Sequence, residues 1–260
     1  MDLLPALTIQ RAVVFALFVR ELKTRFGTYR LGYFWALLEP LAHIAVILTI
    51  FGIRSKRIIP GIDFPVFLIT GLVPFFMFRN IVLRLMNAVD ANKGLFNYKQ
   101  VKPLDALIAR LILEGVIYLF VFVLFISAAG LLGYDISIPD PLGLMAIFAL
   151  VYLFSFGLGI IACIMFTLYN ESKKFIPIVI HPLYIISAVL FPMNAIPQQY
   201  QKWFLWNPLV HAMELIRTSF FASFRTETGD MFYLLAWTIS VLMLGLSVYW
   251  IKRTEMLASA

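Results

Sequence analysis

The segment "LDALIARLILEGVIYLFVFVLFISAAGLL", Leu104–Leu132, is overwhelmingly apolar. A helix needs roughly 20 mostly apolar residues to cross the hydrocarbon core of a bilayer. This run exceeds that, as does Leu142–Tyr169, so both can tilt or project beyond the membrane. Four more runs read as spans: 34–53, 66–86, 175–192 and 231–251. No soluble domain fits between them, and the 260 residues read as one transmembrane domain. Charged residues make up 13% of the chain, against about 25% in an ordinary soluble domain. Mean hydropathy is +0.91. The expected fold class is an all-α integral membrane protein with six transmembrane helices.

The net charge of +7 suggests nucleic acid in isolation. In a chain this apolar it reads instead as loops facing the cytoplasm and anionic headgroups, so no nucleic-acid partner is expected. Arg11, Arg20, Lys23, Arg25 and Arg30 precede the first run. Lys93, Lys99, Lys102, Lys173, Lys174, Lys252 and Arg253 fall on the same side. Both termini are therefore expected in the cytoplasm. The "RSKR" cluster, Arg54–Arg57, is a local violation of that bias. No cleavable leader is expected, and the first span serves as its own insertion signal.

Two segments do not fit the simple pattern of spans and loops. The first is "IQRAVVFALFVRELKTRFG", Ile9–Gly27. Its apolar core, Ala12–Val19, is too short to cross. Phe15, Phe18, Val19, Leu22 and Phe26 share one helical face, and charges occupy the rest of its second half. That pattern predicts an amphipathic interface helix over 8–27. Gly27 ends it, and Gly32 permits a bend into the first span. The spacing of those glycines also suits a phosphate-binding loop, but Tyr33 and Phe34 stand where Lys and Ser or Thr are required. Any ATP this protein uses is hydrolysed elsewhere.

The second is 194–230, rich in Trp, Phe, Leu and Ile yet placed outside between the last two spans. Asn207 and Pro208 form a helix start. Leu209, Met213, Ile216 and Phe220 then recur at helical spacing, and Gln198–Trp206 supplies a shorter helix before them. Two short helices that dip into the outer leaflet and return, a re-entrant hairpin, fit this composition where protein or a water-filled cavity surrounds them. Glu214 and Arg217 stand three apart and can share a face. Between the second and third spans, 88–103, "AVDANKGLFNYKQVKP", is a basic cytoplasmic loop. It is either a solvated connector or a coupling loop that docks a partner.

An interface helix, six spans, a coupling loop and a hairpin before the last span resemble the ABC-2 type permease family. "NPLVHAMELIR", Asn207–Arg217, resembles that family's signature region. "RFGTYRLGYFWALLEPL", starting at Arg25, resembles its approach to the first span. Within the family, the chain is similar to permeases of Gram-negative capsular polysaccharide exporters, and less so to O-antigen and teichoic-acid exporters. The resemblance implies a homodimer on two P-loop ATPase subunits, which bind ATP and Mg. This chain itself would need no cofactor and no metal. It also implies a lipid-linked acidic polysaccharide as cargo, periplasmic and outer-membrane export partners, and a place in the bacterial inner membrane among its lipids.

On that resemblance, Arg25, Arg30, Tyr33, Trp35, Glu39, Tyr184 and Trp206 are candidates for the substrate path. Arginine suits phosphate and carboxylate, and aromatic faces suit sugars. Interfacial anchoring of Arg, Tyr and Trp is the alternative at each. Glu39 and His43 also suit an interhelical pair with Arg79 or Arg84. Asn92, Phe96, Tyr98 and Lys99 are candidates for ATPase coupling. Asn207, Pro208, Glu214 and Arg217 mark the re-entrant signature. His43, His181, His211 and Cys163 are dispersed, and no HExxH or GxSxG motif occurs, so no catalytic site is expected. A small-molecule or O-antigen-type ABC-2 exporter is the alternative within the class. An ion-driven secondary transporter is the alternative outside it, and no internal repeat favours that.

Overall fold

The computed structural model describes residues 3–26, 32–51, 61–98, 100–169, 171–225 and 227–258; the side chains at 3–7, 26, 32–36, 51 and 258 lie outside that description. Among these residues every regular element is helical. In order they are α1 (Leu3–Phe26), α2 (Gly32–Phe51), α3 (Phe64–Met86), a 3-10 turn (Asp90–Leu95), α4 (Pro103–Leu131), α5 (Pro141–Leu168), α6 (Ser172–Ile180) and α7 (Leu183–Ile186). A second 3-10 turn (Met193–Ala195), α8 (Gln198–Phe204), α9 (Pro208–Phe220) and α10 (Met231–Ala258) follow.

Proline in the first turn opens α3, α4, α5 and α9, where a missing N–H costs nothing. Asp140 caps α5 by accepting from the Gly143 N–H at 2.9 Å. Asn207 caps α9 by accepting from the Leu209 N–H at 3.0 Å.

The helices α3, α4, α5 and α10 are long and apolar enough to cross a bilayer, and α2 carries a shorter apolar stretch, Leu37–Ile50. The expected fifth span, 175–192, is not one helix. It is divided into α6 and α7 at His181–Pro182. Pro182 has no N–H to donate and its ring crowds the preceding turn, so the ladder stops there. Beyond α7, Ala188 adopts a left-handed backbone with φ 54°.

The core is built around α3, whose side chains are buried almost all round, from Phe64 to Met86. It packs on α4 and α5, and α5 packs in turn on α10. The α5–α10 seam is a contact of main chains. A Cβ added at Gly157 would lie 2.8 Å from the Leu242 backbone, and one at Gly245 would lie 2.7 Å from the Gly157 carbonyl.

Depth can be read from α4. Its exposed large side chains from Ile112 onward are all apolar: Ile112, Val116, Leu119, Phe120, Val123, Leu124 and Leu131. From Ile112 to Leu131 the helix rises about 30 Å, the thickness of the hydrocarbon core. This band begins at Ile112, at the end of the bundle where α1 covers α4.

The helix α1 presents its expected apolar face to the protein only in part. Leu17 is buried against Ala106 and Ala109 of α4, with Val13, Val14 and Phe18 around it, while Phe15 is exposed. Three polar ties run parallel along the two helices: Gln10 to Asp105, Glu21 to Arg110 and Arg25 to Glu114. They span about 22 Å of α1 but only about 13 Å of α4, so α1 climbs obliquely across it.

Candidate functional site

Three polar clusters lie within this apolar bundle. The first joins α1, α3 and α4 beside the start of the exposed apolar band of α4. Four-residue spacing places Glu21 and Arg25 on one face of α1, and Arg110 and Glu114 on one face of α4. The signs are crossed, so the faces match. Glu21 lies 2.9 Å from Arg110 Nε, and Arg25 pairs with Glu114. Arg84 Nε stands 4.0 Å from the same Glu114 oxygen, and Arg110 Nη1 donates to the Arg84 carbonyl at 2.7 Å. Glu114 is 2% exposed. These groups, with Thr24, Asn87 and Leu113, line a cavity of about 310 Å³.

The same Glu21 links to the turn after α3. Its Oε1 accepts from Asn92 Nδ2 at 3.0 Å, and Asn92 Nδ2 also donates to the Ala88 carbonyl at 2.8 Å. Arg20 donates to Asn92 Oδ1. Asn92 is thus buried at a junction of α1 with the 3-10 turn, not offered to solvent. Phe96 packs beside Leu17, and Tyr98 is exposed. Lys99 lies outside the described residues.

The second cluster joins α2, α3 and α4. Glu39 pairs with Arg79 and accepts from Asn80 Nδ2 at 3.4 Å. Asn80 also donates to the Tyr118 hydroxyl. The Arg79 guanidinium lies 4.5 Å over Phe76, whose ring meets His43 edge-on at 4.9 Å. Tyr184 of α7 stacks on Phe76 at 6.4 Å and meets Phe75 at 5.6 Å. Glu39 and Tyr184 therefore belong to one polar and aromatic stripe on α3.

The third cluster lies around α9. The helix α9 is almost wholly buried between α3, α5 and α10. Its three-residue spacing brings Glu214 within 3.6 Å of Arg217. Arg217 donates to the carbonyls of Ala188 at 2.8 Å and Val189 at 2.7 Å, with its guanidinium 3.9 Å over Phe67. Glu214 Oε1 accepts from the Met193 N–H at 3.1 Å. Together they hold the segment beyond α7, including the strained Ala188, against α3 and α9. His211 is held in one tautomer: Nδ1 accepts from the Asp230 N–H at 3.0 Å, and Nε2 donates to the Leu205 carbonyl at 2.9 Å. Trp206 lies apart, exposed at the foot of α9, its carbonyl accepting from the Tyr233 hydroxyl at 3.0 Å.

Gly71 makes this packing possible. A Cβ there would lie 2.5 Å from the Val189 carbonyl and 2.8 Å from Arg217 Nη2. Gly71→Ala is expected to destabilise the protein by about 1–3 kcal/mol through overpacking. Thermal melting in detergent reads this as a lowered midpoint, and an unchanged midpoint would show that the 188–191 segment yields freely.

Of the residues singled out from sequence for the substrate path, Glu39 and Tyr184 share a surface, Arg25 is turned onto Glu114, and Trp206 is distant. Arg30 and the side chains of Tyr33 and Trp35 lie outside the described residues. Sequence reading passed over Asn80, Arg110, Glu114 and Tyr118. The available signal was an ionisable pair four residues apart within an apolar run, since such groups face a bundle interior.

The family model described as ABC-2 type transporter matches residues 12–221. The chain is 43% identical over 251 residues to the polysialic acid transport protein KpsM of Escherichia coli, covering 96% of this chain and 97% of that one. It is 29% identical to the capsule polysaccharide export inner-membrane protein CtrC of Neisseria meningitidis serogroup A, with 94% and 92% covered. Identity to the capsule polysaccharide export inner-membrane protein BexB of Haemophilus influenzae is 27%, with 93% and 91% covered.

Proposed function

Because the chain belongs to the ABC-2 type transporter family, we propose that it is the permease subunit of an ATP-driven exporter of lipid-linked acidic capsular polysaccharide. The observation that carries this is the identity of 43% along nearly the full length of both chains with a polysialic acid transport protein. The relatives described as capsule polysaccharide export inner-membrane proteins favour the bacterial inner membrane and a polysaccharide cargo.

In this reading the chain crosses six times: α2, α3, α4, α5, the broken segment 172–192, and α10. The Lys and Arg residues near the α1 end support a cytoplasmic position for that end and for both termini. The hairpin of α8 and α9 is re-entrant from the outer side. Burial of α9 among α3, α5 and α10 supports this, since helix ends within a membrane need protein around them. Two copies form the path, and two P-loop ATPases bind ATP and Mg beneath them. Proteins of the periplasm and outer membrane receive the polymer.

Phe96, Tyr98 and Lys99 form the ATPase contact, and Asn92 passes its movement to α1 through Arg20 and Glu21. Arg25, Arg30, Tyr33 and Trp35 form the cytoplasmic mouth, where Arg25 is available to an anion only when it leaves Glu114. Glu39 and Tyr184 border the path, and Trp206 borders its exit. Asn207, Pro208, Glu214 and Arg217 hold the hairpin.

A mild-detergent pull-down of the tagged chain, read by mass spectrometry, tests the assignment. The expected result is a small P-loop ATPase at near-equal stoichiometry. Recovery of the chain alone, under conditions that preserve a known ABC complex, would overturn it.

A further inference from the structure

A groove of about 920 Å³ runs between α1 and α4. Its apolar walls include Ala12, Phe15, Phe18, Ile108 and Ile112, and Arg11 stands at one end. Arg11 is exposed and makes no ion pair among the described residues. Ile112 also lines a second groove, between α4 and α5, with Gly115, Val116, Leu119 and Tyr152. Residues 108, 112, 115, 116 and 119 fall on one stripe of α4, so the two grooves form a single track.

The track runs from the headgroup side of α4 part-way into one membrane leaflet. We take the start of the exposed apolar band of α4, at Ile112, as the boundary of the hydrocarbon core. Arg11, one residue past Gln10 and its tie to Asp105, lies about 10 Å to the headgroup side of Ile112. From Ile112 to Leu119 the α4 stripe rises about 10 Å, roughly two thirds of the depth of half the hydrocarbon core. An apolar track that enters the leaflet, with an unpaired guanidinium at its headgroup end, is complementary to one kind of molecule.

We propose that this track holds one anionic glycerophospholipid per chain, its phosphate on Arg11 and one acyl chain along Ile112, Val116 and Leu119. Arginine offers forked N–H donors to a phosphate. The lipid would brace α1 against α4 from the side opposite the Glu21–Arg110 and Arg25–Glu114 pairs. The site depends on the depth of α4 and not on the identity of any cargo or ATPase.

The full-length chain, delipidated in detergent, is mixed with equimolar phosphatidylglycerol and phosphatidylethanolamine, and retained lipid is read by native mass spectrometry. One phosphatidylglycerol per chain is expected, preferred about fivefold, as befits one basic group beside an anionic lipid. Arg11→Gln should abolish that preference and Arg11→Lys should keep most of it. Ala12→Leu, which fills the groove, should lower retention of both lipids. Equal retention of the two lipids by the unaltered chain, or an unchanged preference in Arg11→Gln, would overturn the proposal. If Arg11→Gln does not yield monodisperse protein, Ala12→Leu decides, and undiminished retention there overturns it. Recovery of a saccharide-bearing lipid instead of phosphatidylglycerol would assign the track to cargo and likewise overturn it. The measurement needs neither ATPase nor transport, so a failed pull-down leaves it intact.

Discussion

Arg217→Met is expected to leave little folded protein in a detergent extract of the membrane. Arg217 is fully buried, and it satisfies two backbone carbonyls that have no helical partner, those of Ala188 and Val189. Methionine matches its bulk but donates nothing. Two buried carbonyls lose their donors and Glu214 loses the guanidinium 3.6 Å away. Breaking a buried pair by removing one member costs about 3–5 kcal/mol, and each unsatisfied carbonyl adds about 1–3 kcal/mol. A total stability of about 5–15 kcal/mol does not absorb that sum comfortably. Size-exclusion profiles of a fluorescent fusion read the outcome as loss of the monodisperse peak. Arg217→Lys should be intermediate, because an ammonium reaches one carbonyl well but lacks the planar fork. A methionine variant with the parent's profile and melting midpoint would show that the 188–193 segment is held by packing alone.

The second large effect is expected at the α1–α4 contact. Arg25→Glu sets a third carboxylate beside Glu21 and Glu114 and should detach α1. Leu17, 4% exposed in the contact, reports this once replaced by cysteine. The native Cys163 is buried and gives little background. With Leu17→Cys alone, maleimide labelling in membranes should be slow. Adding Arg25→Glu costs about 3 kcal/mol or more if the buried pair is broken, which raises the open population at least a hundredfold. Labelling should accelerate accordingly. The exchange Arg25→Glu with Glu114→Arg restores opposite signs and should recover much of the protection. Unchanged labelling in the single variant would mean that Leu17, Val13 and Phe18 hold α1 without the charges.

The sequence makes the long elements plain and the joints obscure, for physical reasons visible at particular residues. The helices α3, α4, α5 and α10 announce themselves because an uninterrupted apolar run has one stable solution in lipid. Asn207–Pro208 announces α9 because a cap and a missing N–H are local chemistry. The division of 175–192 at Pro182 follows from a local residue too, but hydropathy averaged over the run conceals it. What α1 buries is harder. Its Phe15 face is the more apolar to the eye, yet Leu17 is the residue that meets Ala106 and Ala109, because small residues on α4 admit close approach. Arg110 and Glu114 are submerged in the composition of α4 and gain meaning only when Glu21 and Arg25, about ninety residues earlier, supply the opposite signs. The carbonyls that Arg217 serves have no sequence signature, since every residue carries one.

Gly157 and Gly245 leave no layer of side chains between α5 and α10. Side chains can change rotamer to let helices slip, but touching main chains cannot. These two helices therefore travel as a single strut, and α9, wedged against both, rides with them. Whatever strokes the exporter makes, the compliance has to lie elsewhere. The hydrogen-bond ladder is already interrupted at His181–Pro182, so a bend between α6 and α7 breaks no helical bond there, while Arg217 keeps Ala188 and Val189 tied to the strut through α9.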